Sequence, residues 1–267
     1  MTKKPATKTP MQNKPISFLS RGVLSALLFL ALACCTGCAG DPNNPDPWEK
    51  TNRFFYNLND GFDRVALKPV ADAYVKFIPQ PIRNGIGNGF DNLLYFNVIS
   101  NDLLQGKWSQ SLGDAGRMVT NSTIGIGGIL DVATGWGLPA HDNDFGITLA
   151  KWGVKPGPYI VIPLLGPSTL RDSSRYVYEY FSTPITYLWL PYYITVPLYS
   201  TQTIDLRARL NDAARFRSEV AIDPYVFTRN AYLQYRDAKI HEGKPPATTQ
   251  SIYDEDVDAE PTTRPAK

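Results

Sequence analysis

Every cysteine of this chain lies at or before Cys38, at the end of an apolar run over residues 23–40 that follows a basic, acid-free start. Lys3, Lys4, Lys8, Lys14 and Arg21 form a positive n-region. The apolar stretch 23–33 is too short to span a bilayer, which needs about 20 residues. The segment therefore reads as an export signal. Thr36, Gly37 and Cys38, followed by Ala39, resemble a lipobox, whose cysteine thiol receives a diacylglyceryl group. Cys35, preceded by Leu32 and Ala33, is the competing site, and an ordinary secretory peptide is the reading without acylation. Acylation of Cys38 is expected, with residues 1–37 removed and residues 38–45 left as a lipidated tether. Two or more acyl chains, palmitate among them, hold a protein firmly on a membrane. Ala39 stands where an Asp would resemble an inner-membrane retention signal, so an anchor on the periplasmic side of the outer membrane is expected.

Removing this leader changes what composition allows. It takes five of the 27 basic residues and none of the 25 acidic ones, so the remainder is slightly acidic. Nucleic-acid binding then loses its electrostatic argument. No thiol remains for a disulfide, a zinc site or a nucleophile, and the fold must be held by packing. Residues 46–243 suffice for one domain with a sizeable core. Residues 244–267, with Asp254, Glu255, Asp256, Asp258 and Glu260 after a PPATTQ stretch, read as a disordered acidic tail.

Within the domain the patterning is helical. Asp46, Pro47 and Glu49 combine an N-cap, an N1 proline and a capping-box acid. The helix that follows carries Phe54, Phe55, Leu58 and Phe62, a stripe that suits either a core or a membrane interface. Pro79 and Pro81 open a second helix with Ile82, Ile86, Phe90 and Leu93 at steps of three or four. Gly85, Gly87 and Gly89 inside it imply close helix contact or a break. A third helix is expected over residues 109–121 with Leu112, Ala115 and Val119 on one face.

Residues 121–158 differ in kind, with Gly125, Gly127, Gly128, Gly153 and Gly157 among isoleucines and tryptophans. A hydrophobic hairpin that gates is one reading, and a packed glycine-rich loop is the other. In the gating reading, proline at Gly153 and Gly157 locks the hairpin. Residues 159–165 read as a short strand or extended buried run, bounded by Pro163. Ser168 is the expected N-cap of the next helix, with Arg171 and Asp172 as an ion pair in its first turn. Between 180 and 204 there is no charged side chain, while Trp189, Tyr192 and Tyr193 are spaced by Pro184, Pro191 and Pro197. This aromatic run is expected at a membrane interface or in an irregular core, but not as a span. Residues 204–220 form a basic amphipathic helix with Arg207, Arg209, Arg215 and Arg217, and Asp223-Pro224 starts the last helix, which Gly243 ends.

Catalytic chemistry finds little support. His141 and His241 are the two histidines, and no GxSxG, HExxH or CxxC occurs. The run His141-Asp142-Asn143-Asp144 has metal-ligand types at short spacing but lacks the EF-hand frame. No enzyme activity, metal or cofactor is expected.

Seven motifs together resemble one family. DPWEKTNRFFYNLN at 46–59, PQPIRNGIGNGFDNL at 79–93, LLQGKW at 103–108, NSTIGIGGILDVA at 121–133, FGITLAKWGV at 145–154, GPYIVIPLLGPSTLRD at 157–172 and DPYVFTRNAYLQ at 223–234 are similar to the MlaA (VacJ) family of outer-membrane lipoproteins. The resemblance implies a mainly α, ring-like single domain of amphipathic helices lying in the inner leaflet, with a glycine-rich hydrophobic hairpin and little or no β. It also implies association with a trimeric porin and an amphipathic channel. Phospholipids misplaced in the outer leaflet leave through that channel to a soluble periplasmic carrier, which preserves lipid asymmetry. By this resemblance Gly125, Gly127, Gly128, Gly153 and Gly157 gate the channel. Phe54, Phe55, Leu58, Trp189, Tyr192 and Tyr193 face the membrane. A porin-associated lipoprotein that braces the membrane without moving lipid is the alternative.

Overall fold

A computed structural model describes residues 46–242. The leader, Cys38, the tether and the acidic tail lie outside the described residues. Within residues 46–242 the chain is mostly helical, with one two-stranded sheet. Helix α1 (Glu49–Phe62) runs through a π turn (Asp63–Leu67) into α2 (Lys68–Phe77). Pro69 has no amide hydrogen for the regular ladder, which accounts for the widened turn just before it. Ile78 then turns extended ahead of Pro79, as a residue before proline tends to. Helix α3 (Gln80–Leu104) is unbroken despite its three glycines.

A three-residue link with Gly106 at φ 73° returns the chain into α4 (Trp108–Thr123). Gln110 meets Asp102, Ser111 meets Ile99, and Asp114 meets Tyr95, which makes α3 and α4 an antiparallel pair. Two short helices follow, α5 (Val132–Gly135) and α6 (Phe145–Lys151). Strands β1 (Tyr159–Ile162) and β2 (Gly166–Thr169) pair antiparallel, with Tyr159 opposite Thr169. Beyond them come α7 (Ser174–Ser182), a 3₁₀ turn (Pro184–Tyr187), α8 (Tyr192–Arg209), α9 (Asn211–Val220) and α10 (Pro224–Ile240).

The small sheet is locked by α1. Asn52 donates to Tyr159 O (2.9 Å) and accepts from Val161 N (2.9 Å), and Asn59 does the same for Ile162 O (3.0 Å) and Leu164 N (2.8 Å). Two asparagines seven residues apart, on one helix face, thus complete backbone groups of β1 and the turn after it. Tyr56, Tyr159, Val161 and Tyr225 form the apolar cluster at this junction, joined by Phe55, Val226, Tyr232 and Leu233.

The structure corrects several expectations. Asp46 does not cap α1; it is buried and accepts from Asn52 (2.8 Å), Arg229 (3.1 Å) and the Tyr225 hydroxyl. Ser168 is in β2, and the helix begins later, at Ser174. Arg171 and Asp172 do pair (2.9 Å), in the turn before α7. Residues 204–220 belong to two helices that break at Leu210. Three of that segment's arginines tie helices together instead of forming a solvated face: Arg207 to Asp63, Arg209 to Asp91, and Arg217 to Asp60. Pro197 is tolerated inside α8, near its first turns.

The largest difference concerns which side of a helix is inside. Leu112 and Val119 of α4 are exposed, while Ser111, Asp114, Arg117 and Asn121 are buried. Asn97, Asn101 and Asp102 of α3 are buried too, whereas Ile82 and Phe96 are exposed. The α3–α4 pair has a hydrogen-bonded polar interior and an apolar exterior. No helix among the described residues is long and apolar enough to cross a membrane.

Candidate functional site

Helix α3 carries two stripes. Asn84, Asn88, Asp91, Asn92 and Tyr95 recur at helical spacing on one side, Phe90, Leu93 and Leu94 lie on another, and Arg83 in the first turn also lines the polar side. Each stripe lines its own clefts. A polar cleft of about 370 Å³ lies between Tyr74 of α2, Arg83, Asn84 and Asn88 of α3, Asp131, and Asp205 and Arg209 of α8. A smaller one of about 80 Å³ shares Asn88 and Asp131 and is closed by Asn92, Tyr95, Arg117 and Asn121. The apolar stripe faces a cleft of about 270 Å³ with Tyr180 of α7, Ile185 of the 3₁₀ turn, and Leu198 and Tyr199 of α8. One helix therefore separates polar space from apolar space.

Helix packing pairs Arg209, Asp205 and Asp131 in the larger cleft. Arg209 binds Asp205 (2.8 Å) and Asp91 (2.9 Å). Burial opposes its charge, but the bond to Asp91 and the Asp205 carboxylate outweigh that and raise its pKa. Tyr74 donates to Asp205 (3.0 Å), and burial together with that carboxylate pushes its phenol up to about 12. Burial alone would raise Asp131. Bonds from Thr134, from Arg117 (2.7 Å) and from Asn121 (3.1 Å) reverse this and hold its carboxyl at about 2.

Two glycines of α3 make these contacts fit. A Cβ at Gly85 would stand 2.9 Å from Ile129, and one at Gly87 would meet the Arg209 guanidinium. Gly89 faces open space and has no such reason. Gly87→Val is expected to push Arg209 off α3 and break its pairs with Asp91 and Asp205. Because Arg209 is partly exposed the cost is modest, roughly 1–2 kcal/mol, and a thermal melt should fall by a few degrees.

The glycines singled out from sequence occupy two places. Gly125, Gly127 and Gly128 lie in the turn after α4, where Asn88 donates to Ile129 O (3.2 Å), Asn92 donates to Ser122 (2.8 Å) and Gly128 lies on Asn92. Gly127 and Gly128 have φ of 69° and 90°, and the intervening chain places Ile126 at φ 54°. Gly153 and Gly157 sit instead between α6 and β1, Gly157 against Leu170, and none of the five glycines lines these clefts. Their φ values are 88° and 67°. Proline, fixed near −65°, cannot take them, so proline there disrupts the fold and does not test a hinge.

Of the apolar residues expected to face a membrane, Phe54, Leu58, Trp189, Tyr192 and Tyr193 are exposed, Trp189 to 91%. Phe55 is partly buried against the Tyr56–Tyr159 cluster. The His141–Asp144 run disperses: His141 meets Asp114 (2.9 Å), Asp142 meets Lys239, Asn143 meets Asp102 (2.7 Å), and Asp144 meets Arg236. Among the described residues no group of acids, histidines and cysteines is placed to hold a metal. The cleft residues Tyr74, Arg83, Asn84, Asn88 and Asp131 escaped the sequence reading. The signal was present in α3 as a polar stripe opposite Phe90 and Leu93.

Comparison with known proteins agrees with this geometry. The MlaA lipoprotein family profile matches residues 44–239. The chain is 34% identical over 251 residues to the intermembrane phospholipid transport system lipoprotein MlaA of Escherichia coli (strain K12), covering 89% of this chain and 98% of that protein. It is 30% identical to the protein of the same name from Haemophilus influenzae, covering 88% and 97%. A chain solved in work on the structural basis for maintenance of bacterial outer membrane lipid asymmetry superposes with a TM-score of 0.64 at 31% identity, over 73% of this chain and 98% of that one. The chain belongs to the MlaA lipoprotein family.

Proposed function

We propose that this chain is an outer-membrane lipoprotein of intermembrane phospholipid transport, which removes phospholipids misplaced in the outer leaflet and so maintains lipid asymmetry. The observation that carries the reading is α3, with polar clefts along one stripe and an apolar cleft along another. A phospholipid passing such a helix keeps its head group hydrated or hydrogen-bonded while its tails stay in apolar surroundings. No bond is made or broken, and the names carried by the relatives describe transport.

The surroundings fit. Exposed Phe54, Leu58, Trp189, Tyr192 and Tyr193 suit a membrane interface, where one end of an aromatic ring meets lipid and the other meets water. A diacylglyceryl anchor at Cys38 keeps the chain at the inner leaflet of the outer membrane. A trimeric porin is its partner there, and a soluble periplasmic carrier receives the lipid. The turn holding Gly125, Gly127 and Gly128 forms a wall of the path, and its movement gates it. Support for a moving turn is Ile126, a β-branched residue at φ 54°, a conformation that costs about 1–3 kcal/mol and is held only while its surroundings impose it. Gly153 and Gly157 are a second set of flexible points.

The deciding experiment compares cells lacking the chain, cells with it and cells with it restored, reading outer-leaflet phospholipid by palmitate transfer onto lipid A. A rise on loss, reversed on restoration, is expected. Unchanged outer-leaflet phospholipid would overturn the transport reading in favour of a bracing lipoprotein.

A further inference from the structure

The geometry points to Arg83 as the anion-binding residue of the larger polar cleft, taking the phosphate ester of a lipid head group. The inference rests on the transport reading and supplies the recognition chemistry that reading leaves open. Among the cleft's charged side chains, Arg209 is neutralised by Asp91 and Asp205, and Asp131 by Arg117. Among the described residues the Arg83 side chain has no hydrogen bond or ion pair, and its Nε is buried without a partner.

A guanidinium does not give up its proton, so this charge cannot be relieved by titration. A buried donor left unsatisfied costs free energy until something accepts from it. The acceptor that matches its planar fork is an oxyanion, and a phosphate takes two parallel N–H bonds. Asn84 and Asn88 line the same wall and offer neutral donors and acceptors beside it. The cleft's volume of about 370 Å³ is within the range of small-molecule sites. The alternating polar and apolar faces of α3 would let acyl chains lie elsewhere while the phosphate is held at Arg83.

The test uses the purified full chain in detergent and three probes. These are dihexanoyl phosphatidylglycerol, dihexanoylglycerol, which lacks the phosphate, and glycerol 3-phosphate, which lacks the tails. R83Q is expected to weaken phosphatidylglycerol binding about tenfold or more and to leave dihexanoylglycerol unchanged. R83K should recover part of the loss, since it returns charge without the fork. A thermal melt of R83Q matching wild type shows that the fold is kept. Equal phosphatidylglycerol binding by wild type and R83Q, or equal loss of the phosphate-free lipid, overturns the assignment. Glycerol 3-phosphate binding as tightly as the lipid would reassign Arg83 to soluble phosphates and overturn the lipid part. If wild-type protein binds neither lipid and cells keep normal asymmetry, the transport reading itself fails. If wild type binds phospholipid and R83Q does so equally, only the Arg83 inference fails.

Discussion

Replacing Arg236 by Met is expected to lower the melting temperature by roughly 10 °C. Arg236 lies on α10, is 2% exposed, and bridges Asp144 (2.5 and 3.0 Å) and Asp172 (3.0 Å). Asp144 is the N-cap of α6 and accepts from Ile147 N (3.0 Å), while Asp172 also takes Tyr232 and Arg171. One guanidinium therefore joins three parts of the chain. Removing it leaves Asp144 without its cation and Asp172 with Arg171 alone, which costs about 3–5 kcal/mol. Burial alone would raise Asp144, but its bond to Arg236 lowers it below the ordinary carboxylate value. The stability from that pair is present above the unfolded value near 3.8 and is lost as pH falls through the folded one. Adding D144N and D172N to the Met variant should return part of the loss, as measured by circular-dichroism melts at pH 7. A fall of under 2 °C for the single variant would show that the bridge does not hold these elements.

Asp102→Asn should act in the opposite direction and stabilise the protein. Asp102 and Asp114, on neighbouring helices, are both fully buried, and each has one carboxylate oxygen without a partner. Burial, and then the Asp114 carboxyl, push Asp102 up to about 6. Its folded pKa lies above the unfolded value of 3.8, so the fold binds the extra proton between pH 4 and 6 and loses stability as pH rises through that window. At pH 8 the ionised pair costs about 3 kcal/mol. In D102N the amide nitrogen donates to Asp114 at every pH, and the amide oxygen still accepts from Asn143 and Gln110, whose bonds to Asp102 are 2.7 and 3.1 Å. The melting temperature at pH 8 should rise by roughly 5 °C, and the decline between pH 4 and 6 should flatten. An unchanged pH profile would mean that the two carboxyls do not share a proton.

Much of the site was legible only in part. Pro79-Gln80-Pro81 marks the start of the second helix, and its interior glycines imply close contact or a break. Contact holds at Gly85 and Gly87 and fails at Gly89, because what a glycine approaches depends on elements far along the chain: Ile129 for one, Arg209 for the other. Spacing alone groups Arg209 with a basic amphipathic face, since it shows charge periodicity but not the carboxylates that meet it. Ser168 looked like an N-cap because a serine after Gly-Pro suits that role. Pairing with β1 gave the residue a strand to join, and local preference yielded to that partner.

The chain's order of residues by itself determined the cysteine-free body, the helical class with its minor β content, and most of the proline and glycine points where elements start or stop. These depend on local sterics and periodicity, which need no distant partner. Only the tertiary structure decided which face of each helix is buried and which charges meet. Periodicity divides α4 into a stripe with Leu112 and Val119 and a stripe with Ser111, Asp114, Arg117 and Asn121, and it is symmetric about which stripe is inside. The usual assumption of water outside puts the leucine stripe in the core. Here Tyr95, Thr134, Asp131 and His141 supply hydrogen bonds to the polar stripe, so it is the polar face that packs and the apolar face that is left to the surroundings.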